Sequence, residues 1–569
     1  MPIHPDPHQA APRPSRRRGP PLQGRARGPR SEQVILATLA AATCLGLAGA
    51  AEAAPTDCAE LKNVAIPGMR ITSAALEPAG SFNVPAGGPG PAQTLDLPAR
   101  CRVQGVLTPT PDSEIGFEVW MPATGWNGRF QGIGNGGFAG DIGVIGLANA
   151  VRAGYAAAST DTGHKGGVTD AGWALGHPEK VTDFGSRAVH LTTVTGKQLT
   201  AAYYGAPIKR SYFASCSNGG RQGLMEAQRF PEDYDGIISM APAYDWTGLF
   251  INFIWNQQVL AAPGAAIGAA KAPAIAAAVL ADCDKLDGRA DGLIADPRAC
   301  RFDPETLHCK GPETSSCLTE PQVAALRAIY RGPRTSDGKP VYFGFPPGGE
   351  VAPASAGWDA WIFGSAPAPS IQGAFATGFM KHIVGAGEGW KPDDFDLNRD
   401  TDALISRMAP VLNATDPDLQ PFVARGGKLI LVHGWSDAAI PARGTIAYYD
   451  KVRSRMGAQT DGFARLYLVP GMHHCGGGTG PSDMGGAGAA RLPKDAQTDL
   501  SAALEDWVEK GRAPGPMVAR QPTLPGAAAA SVRTALICPY PQTATLKPGA
   551  DMAAAASYHC TPPSAAAGS

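Results

Sequence analysis

An apolar run is joined to a segment of helical pattern, through a turn of small residues, by the sequence Tyr212-Phe213-Ala214-Ser215-Cys216-Ser217-Asn218-Gly219-Gly220. We predict a strand over Ser211–Ala214 and a helix over Gly220–Arg229. A strand, a sharp turn and a helix form the nucleophile elbow, in which a serine hydroxyl is exposed above the edge of a sheet. The usual pattern is G-x-S-x-G, and only its first glycine is replaced here. The stretch therefore indicates that Ser217 is a nucleophile; the alternative is a plain strand–helix turn.

On both sides of this stretch, short apolar runs alternate with segments whose hydrophobic residues have helical spacing. The other predicted elements are strands at Arg129–Ile133, Tyr155–Ser159, Gly236–Met240, Lys428–Val432 and Arg465–Val469, and a helix over Arg187–Tyr204. Such alternation implies a parallel sheet covered by helices. Between Tyr244 and Ala409 the alternation of strands and helices ends. It is replaced by Ala-rich segments of helical pattern, with cysteines and Pro/Gly loops. The fold class predicted is α/β, an α/β-hydrolase fold with a large inserted lid domain.

Four parts follow from this pattern. Residues 1–53 are a signal peptide or leader, 54–244 the first part of the hydrolase core, 245–413 the lid, and 414–569 the second part of the core. The leader is rich in Arg and Pro, and an apolar run then ends at the cleavage-like Ala51-Glu52-Ala53. That run is near the lower limit for a bilayer span, which favours a cleaved signal over an anchor. The protein is therefore expected to be secreted or periplasmic, without a membrane partner.

Charge and cysteine content agree with an exported enzyme. The formal net charge of −1 favours neither nucleic acid nor an anionic membrane as a partner. Of the 11 cysteines, Cys44 lies in the leader, and an even set in an exported chain predicts five disulfides. There is no CxxC or HExxH motif for zinc. The cysteines of the even set are Cys58, Cys101, Cys216, Cys283, Cys300, Cys309, Cys317, Cys475, Cys538 and Cys560, of which Cys538–Cys560 is expected to fasten the tail.

An acid and a histidine follow the serine in the order that this fold uses. The strand Lys428–Val432 leads to Asp437, and the strand Arg465–Val469 leads to His473-His474-Cys475. A serine hydroxyl needs an imidazole to accept its proton, and an acid then orients that imidazole. A turn aspartate or a surface histidine is common alone, but both at strand ends in this order indicate a catalytic site. Ser217, Asp437 and His474 are the predicted catalytic residues.

Two cysteines help to choose between His473 and His474 as the catalytic histidine. Cys216 precedes Ser217, and Cys475 follows His474. If the two cysteines pair, their Cα atoms lie about 5.5 Å apart. Ser217 and His474 would then be within side-chain reach of each other. This spacing favours His474 over His473.

Three motifs resemble a known family. Cys-Ser-x-Gly-Gly-Arg at 216–221, Gly434-Trp435-Ser436-Asp437 and His474-Cys475 are similar to the tannase and feruloyl esterase family. That family includes bacterial enzymes that cleave the mono(hydroxyethyl) ester of terephthalic acid. The resemblance covers essentially the whole mature chain. It implies a Ser–Asp–His triad whose serine and histidine are tied by a neighbouring disulfide.

Acyl transfer also needs donors for a tetrahedral oxyanion. The backbone N–H of Asn218 is one candidate. The second is expected from the loop Gly134-Asn135-Gly136-Gly137, where glycines allow close backbone approach. We select Gly136, with Gly137 next; the alternative is a tight turn without this role.

An acidic loop in the lid is a candidate calcium site. Asp284, Asp287 and Asp291 are separated by glycines, and the carbonyls of Arg289 and Leu293 could complete a shell of hard oxygen ligands. The spacing is not that of an EF-hand, so a solvated acidic turn is the alternative. The resemblance implies a structural calcium in the lid at a matching loop, with Cys283–Cys300 closing it and Cys309–Cys317 closing the next.

Aromatic residues of the lid are candidates for an acyl pocket, although such residues more often belong to the core of a lid. They are Trp358, Trp361, Phe363, Phe375 and Phe379, and we select Phe375 as substrate-binding. The enzymes for terephthalate monoesters are expected to hold the free carboxylate with a lid arginine, and Pro369–Phe379 contains none. This favours esters of gallate or of hydroxycinnamates such as ferulate.

The predicted function is a secreted serine carboxylic-ester hydrolase acting on esters of small aromatic acids, without an organic cofactor. A mono(hydroxyethyl) terephthalate hydrolase-like activity is the nearest alternative. A peptidase on this fold usually carries a substrate-gating domain, which is not seen. A general lipase would need a broad apolar lid, whereas this lid is predicted to be polar and rich in cysteine. An inactive surface- or carbohydrate-binding protein is the alternative that is not an enzyme.

Overall fold

The computed structural model describes residues 56–84, 93–353, 357–364, 369–486, 495–522 and 532–562. The predicted leader and its cleavage site lie outside these residues. Among the described helices, none combines the length and the apolar character needed to cross a membrane.

A mixed sheet forms the centre of the fold. Within the described residues it has nine strands in the order β1-β4-β5-β7-β6-β8-β9-β10-β11. The pairs on the β1 side, from β1/β4 to β5/β7, are antiparallel, and all pairs from β7/β6 to β10/β11 are parallel. Its strands are β1 (Met69–Glu77), β4 (Arg100–Leu107), β5 (Ile115–Pro122), β6 (Arg129–Ile133), β7 (Ala156–Thr160), β8 (Arg210–Cys216), β9 (Gly236–Met240), β10 (Lys428–Gly434) and β11 (Ala464–Val469).

Shorter strands form two-stranded ladders outside this sheet. They are β2 (Gly80–Val84) with β3 (Gln93–Leu97), β12 (Met472–His473) with β13 (Gly476–Gly478), β14 (Met517–Arg520) with β15 (Thr534–Ile537), and β16 (Thr543–Leu546) with β17 (Tyr558–Thr561).

Successive residues of the parallel strands point into two apolar layers, because side chains alternate across a strand. In β9, Ile237 belongs to the layer beneath α3, α4 and α11, and Ile238 belongs to the layer beneath α1 and α13. Leu431 and Ile430 of β10 divide in the same way. The helices are α1 (Val144–Arg152), α2 (Pro178–Thr182), α3 (Ala188–Tyr204), α4 (Asn218–Arg229), α5 (Trp246–Ala261), α6 (Ala272–Cys283), α7 (Glu320–Arg331), α8 (Ile371–Gly378), α9 (Thr401–Leu412), α10 (Gln420–Ala424), α11 (Ala442–Met456), α12 (Thr460–Phe463) and α13 (Leu500–Lys510).

The lid occupies the connection between β9 and β10 and holds α5 to α9. Its two ends meet: the N–H of Ala414 donates to the carbonyl of Tyr244 at 2.7 Å, and Asn413 Nδ2 donates to Asp245 Oδ1 at 2.9 Å. The Asp245 side chain also accepts from the N–H of Gly248 and so caps the start of α5. The lid has its own apolar core, to which Phe138 and Phe184 of the hydrolase core contribute.

Several predicted element boundaries are wrong by one or two residues. The strand expected at Tyr155–Ser159 is Ala156–Thr160, and the helix expected from Gly220 begins at Asn218. A turn of π-helix over Asp183–Arg187 precedes α3, so that helix begins at Ala188. Hydrophobic periodicity shows which residues are buried but marks the ends of an element poorly.

Five disulfides are present: Cys58–Cys101, Cys216–Cys475, Cys283–Cys300, Cys309–Cys317 and Cys538–Cys560. Two of them lie in the lid, and one joins the last residue of β8 to the turn between β12 and β13.

Candidate active site

Ser217 lies at the sharp turn between β8 and α4. Its backbone has φ 66° and ψ −126°, a left-handed conformation that is strained for a residue other than glycine. The N–H of Ser217 donates to the carbonyl of Met240 at 2.9 Å, which fixes the turn against β9. Gly219 is required by packing, because a Cβ there would lie 1.9 Å from Ser215 Oγ. The predicted elbow therefore has the geometry that exposes a serine hydroxyl above the sheet.

A continuous chain of hydrogen bonds joins the three predicted catalytic residues. Ser217 Oγ lies 2.9 Å from His474 Nε2, and His474 Nδ1 lies 2.9 Å from Asp437 Oδ2. The Asp437 side chain is fully buried, whereas 16% of the His474 side chain is exposed. This arrangement allows an imidazole to take a proton from the serine while a carboxylate stabilises the imidazolium.

The surroundings of Asp437 keep it ionised. Its Oδ1 accepts the backbone N–H groups of Ala439 and Ile440 at 2.8 and 2.9 Å. His433 Nε2 lies 3.2 Å from Oδ2 and was not identified from the sequence. Burial by itself would raise the pKa of the Asp437 carboxyl, but the charge of His474 and the hydrogen bond from His433 hold that pKa well below its usual range. A carboxylate that stays charged can orient an imidazole throughout the ordinary pH range.

The disulfide Cys216–Cys475 directly flanks this chain of hydrogen bonds. Its Cα atoms are 5.8 Å apart, and it joins positions 259 residues apart in sequence. Cys475, like Ser217, has a positive φ, of 65°. The disulfide thus holds together the two tight turns that carry Ser217 and His474.

Two backbone N–H groups are available beside Ser217. Asn218 is the first residue of α4, and Gly136 lies in the loop after β6; both line the same cavity as Ser217. Among the described residues, neither backbone N–H donates to an acceptor. Gly137 is required for a different reason, because a Cβ there would lie 2.3 Å from the Val168 carbonyl oxygen. The arrangement can therefore offer donors to an oxyanion.

Arg221 forms a hydrogen bond with the side chain of Asn218. It is fully buried, and its Nε donates to Asn218 Oδ1 at 2.8 Å. The guanidinium lies 5.0 Å from the ring centres of Phe184 and Trp246, and its other nitrogens donate to backbone carbonyls, including that of Gly185. Burial lowers the pKa of this guanidinium to about 9. The last residue of the Cys-Ser-x-Gly-Gly-Arg motif thus supports the turn that carries Ser217 from a buried position.

A cavity of about 1190 Å³ opens above Ser217 and is mostly apolar. Lid residues form one wall, the loop after β6 and the turn at β12–β13 form others, and the C-terminal region closes the remaining side. The apolar lid residues that line it are Trp246, Leu249, Phe250, Phe253, Ala352, Pro353, Trp361, Ile371 and Phe375.

Two of the five predicted pocket aromatics line the cavity. Trp361 and Phe375 stack with ring centres 6.3 Å apart, and Trp361 also meets the edge of the His474 ring at 5.5 Å. Phe363 does not line the cavity, and Trp358 and Phe379 are buried in the core of the lid. For these three residues the lid-core alternative holds; the sequence left both alternatives open, because aromatic residues of a lid core and of a lid surface look alike in sequence.

Sequence reasoning missed the aromatic face of α5. Trp246, Phe250 and Phe253 line the cavity and follow each other at helical spacing. That spacing was the available signal, because residues three and four apart share one helix face. The expectation of a polar lid is likewise wrong for the face that covers Ser217, where the lid presents aromatic and aliphatic side chains. Its charged groups and cysteines lie elsewhere.

Comparison with known proteins agrees with this site. The family described as tannase and feruloyl esterase matches residues 101–561. The chain belongs to the tannase and feruloyl esterase family. It is a carboxylic ester hydrolase with the α/β-hydrolase fold, as the sequence predicted.

Named relatives and a solved structure of this family cover most of the chain. An uncharacterized esterase of Xanthomonas campestris pv. campestris is 43% identical over 538 residues, covering 90% of this chain and 92% of the relative. The mono(2-hydroxyethyl) terephthalate hydrolase of Piscinibacter sakaiensis is 33% identical over 540 residues, covering 84% and 87%. The crystal structure of feruloyl esterase B from Aspergillus oryzae superposes with a TM-score of 0.78 at 28% identity, covering 89% of this chain and 99% of that one.

The acidic loop of the lid carries several hard oxygen donors. Asp284 Oδ1 accepts the N–H groups of Asp291 and Gly292 at 3.2 and 3.1 Å, which curls the loop around that carboxylate. Arg289 Nε donates to Asp287 Oδ2 at 2.7 Å, so a guanidinium neutralises part of the negative charge. The donor set suits calcium, provided that the Arg289 side chain turns away from Asp287.

A tighter group of ligand atoms lies elsewhere. In the part of the chain that the structure describes, one group of three His or acidic residues has all its ligand atoms within 4.8 Å: His190, Glu226 and Asp233. The carboxylates of the acidic loop are therefore more widely spaced than that. Lys197 donates to the backbone carbonyl of Asp233, which places an ammonium beside this group.

Proposed function

We propose that this chain hydrolyses esters of small aromatic acids through an acyl-enzyme on Ser217. The observation that carries the proposal is the hydrogen-bonded chain from Ser217 through His474 to Asp437, open to a cavity walled by aromatic side chains. His474 Nε2 accepts the hydroxyl proton as Oγ bonds to the ester carbonyl carbon. The carbonyl π electrons move to its oxygen, and a tetrahedral oxyanion forms.

The oxyanion is held by the backbone N–H groups of Asn218 and Gly136. Both line the cavity beside Ser217, and Asn218 adds the positive end of the α4 dipole. As the oxyanion collapses, the C–O bond to the alcohol breaks and His474 returns its proton to the leaving oxygen. Water then attacks the acyl-enzyme with His474 as base, the acid leaves, and the Ser217 hydroxyl is restored.

An aromatic acid is favoured by the walls of the cavity. Phe375 contacts Phe138 and Phe250 and stacks with Trp361, so a planar acyl group would meet aromatic faces and edges. Gallate and hydroxycinnamate esters are the first choice. Terephthalate monoesters are the second, supported by the named relative from Piscinibacter sakaiensis.

A substrate panel tests the proposal. Methyl gallate, methyl ferulate, a terephthalate monoester and a short-chain nitrophenyl ester are compared by kcat/KM, and a fluorophosphonate probe is used to label the protein. We expect labelling at Ser217 and the highest kcat/KM on an aromatic ester. A protein that neither labels nor hydrolyses any ester would instead be an inactive binding protein on this fold.

Phe375→Ala is expected to raise KM for aromatic esters by about 2- to 12-fold, the equivalent of one lost aromatic contact. The KM for acetate esters is expected to change much less, because an acetyl group offers no ring to stack. Phe379→Ala is the matched control, since Phe379 is fully buried in the lid core and does not line the cavity. Equal changes in KM on both ester classes would place Phe375 in the lid core and remove it from substrate selection.

We further propose that the acidic loop holds a structural calcium ion, with ligands from Asp284, Asp287, Asp291 and the carbonyls of Arg289 and Leu293. The disulfide Cys283–Cys300 closes this loop. The ion would fasten a lid segment and take no part in ester cleavage.

Chelation is then expected to lower the melting temperature. A ligand that binds only the folded state at 100 times its Kd stabilises it by about 2.7 kcal/mol. Asp287→Ala should lower the melting temperature and abolish its response to chelator, measured by calorimetry together with metal content. Asp282→Ala, which removes an exposed carboxylate from the end of α6, is the control. Unchanged melting and metal content after chelation would leave the loop as an acidic turn.

We also propose that the mature enzyme works outside the cytoplasm. Disulfides persist in oxidising compartments, so the five disulfides support this placement, as does the signal peptide predicted from the sequence. Cell fractionation tests this placement, and a reduced protein found only in the cytoplasm would contradict it.

A further inference from the structure

One arginine side chain lines the cavity above Ser217. Arg533 lines it, and among the described lining residues there is no other arginine, no lysine, no aspartate and no glutamate. Arg533 belongs to the C-terminal region. It therefore lies outside the lid segment Pro369–Phe379, where enzymes for terephthalate monoesters are expected to carry an arginine. A mostly apolar cavity with a single cation favours a substrate that is aromatic and anionic.

The guanidinium of Arg533 is available to a ligand. Within the described part of the chain, it makes no hydrogen bond to a protein group and no ion pair. Other partly buried arginines are satisfied: Arg129 pairs with Glu505 and Glu509 at 2.9 and 2.7 Å. The carboxylate whose charge Arg533 does influence is Asp291. Burial raises the pKa of Asp291, while Arg289, 3.9 Å away, and Arg533 both oppose that rise.

The backbone holds Arg533 in place. The ladder of β14 and β15 pairs Arg520 with Thr534, and the N–H of Gln521 donates to the carbonyl of Arg533 at 2.8 Å. Gln521 lines the cavity too, and its buried Oε1 has no hydrogen-bond partner among the described residues. The side chains of Arg533 and Gln521 therefore line the cavity from the two residues that adjoin the end of the β14–β15 ladder. A guanidinium binds a carboxylate through two parallel hydrogen bonds, which sets both charge and orientation.

We propose that Arg533 is a specificity-determining residue that selects aromatic esters carrying a carboxylate away from the scissile bond. This inference rests on the esterase function proposed above and names its substrate class. The carboxylate can belong to the acid part, as in a terephthalate monoester, or to the alcohol part, as in a hydroxycinnamate ester of a hydroxy acid. Both place one negative charge in the cavity, and the experiment separates them.

Two matched pairs of esters test the proposal. Mono(2-hydroxyethyl) terephthalate is compared with its neutral methyl ester, and the caffeoyl ester of quinic acid with the methyl ester of that compound. For wild type, we expect the charged member of one pair to have the higher kcat/KM. Arg533→Gln is expected to lower the charged-to-neutral ratio of kcat/KM in that pair by about 10- to 100-fold, mostly through KM, because a hydrogen-bonded charge is lost.

Two further variants separate a charge effect from a structural one. Arg533→Lys keeps the positive charge, so it should retain part of the preference for the charged ester. Its KM for the charged ester should also still rise with added salt, whereas the KM of Arg533→Gln should not. Arg70→Gln removes an exposed arginine of β1 that does not line the cavity, and it should leave the ratio unchanged.

The outcomes are distinguishable. A wild type that cleaves neutral and charged members alike, with ratios unaffected by Arg533→Gln, would overturn the role of Arg533 and leave the esterase proposal standing. Hydrolysis of none of the four esters would overturn the esterase proposal and this inference together. A charge preference confined to one pair locates the carboxylate on the acid or on the alcohol.

Discussion

Ser217→Ala is expected to lower kcat on the best aromatic ester by on the order of a millionfold, because the oxygen that forms the acyl-enzyme is lost. His474→Ala should lower kcat by a similar factor, since an unassisted serine hydroxyl is a weak nucleophile. The Ser217→Ala/His474→Ala double variant should be little slower than either single variant, because residues that act as one unit are not additive. The measurement is release of the aromatic acid at saturating ester, together with fluorophosphonate labelling.

The neighbouring histidine provides the comparison. His473→Gln is expected to reduce kcat far less than His474→Gln, because it is His474 that hydrogen-bonds to both Ser217 and Asp437. Circular dichroism of each variant shows whether the fold survives, since His473 is buried. A folded His474→Gln variant with near wild-type kcat, or a Ser217→Ala variant that still labels, would contradict the proposed mechanism.

The parallel half of the sheet was predictable because its strands are buried on both faces. β7 and β9 are buried along their whole length, so they appear in sequence as short, continuous apolar runs bounded by turns. The position of Ser217 was predictable for a related reason: a strand, a tight turn of small residues and a helix are local features. Asp437 and His474 could be placed because the fold fixes the chain order of acid and histidine.

The walls of the cavity were less predictable, because they come from segments far apart in sequence. Trp246 and Phe250 look in sequence like core positions of a lid helix, and only the placement of α5 above Ser217 makes them wall residues. Arg533 lies in a Pro- and Ala-rich segment whose hydrophobic residues show no periodicity. Its arrival at the cavity depends on the pairing of β14 with β15, a long-range contact. His433 and Asp437 are only four residues apart, but their contact depends on how the turn after β10 folds, which the sequence pattern does not indicate.

The disulfide Cys216–Cys475 is expected to matter for kcat as well as for stability. Closing a loop of 259 residues stabilises the folded state by about 5 kcal/mol in the chain-entropy account. We also expect a positional effect, because Ser217 and His474 lie on turns from distant parts of the chain. A misplacement of about 1 Å can cost on the order of a hundredfold in rate. Cys216→Ala/Cys475→Ala should therefore lose about that factor in kcat at temperatures where circular dichroism shows it folded.

A second disulfide separates position from stability. Cys538–Cys560 fastens the C-terminal region and adjoins no residue of the hydrogen-bonded chain. Cys538→Ala/Cys560→Ala should lower the melting temperature while kcat of the folded protein stays near wild type. If the Cys216→Ala/Cys475→Ala variant also keeps kcat within about twofold of wild type, its disulfide is only a covalent brace. The hydrogen bonds of His474 to Ser217 and Asp437 would then suffice by themselves to hold the site, and the choice of His474 over His473 would rest on those two distances alone.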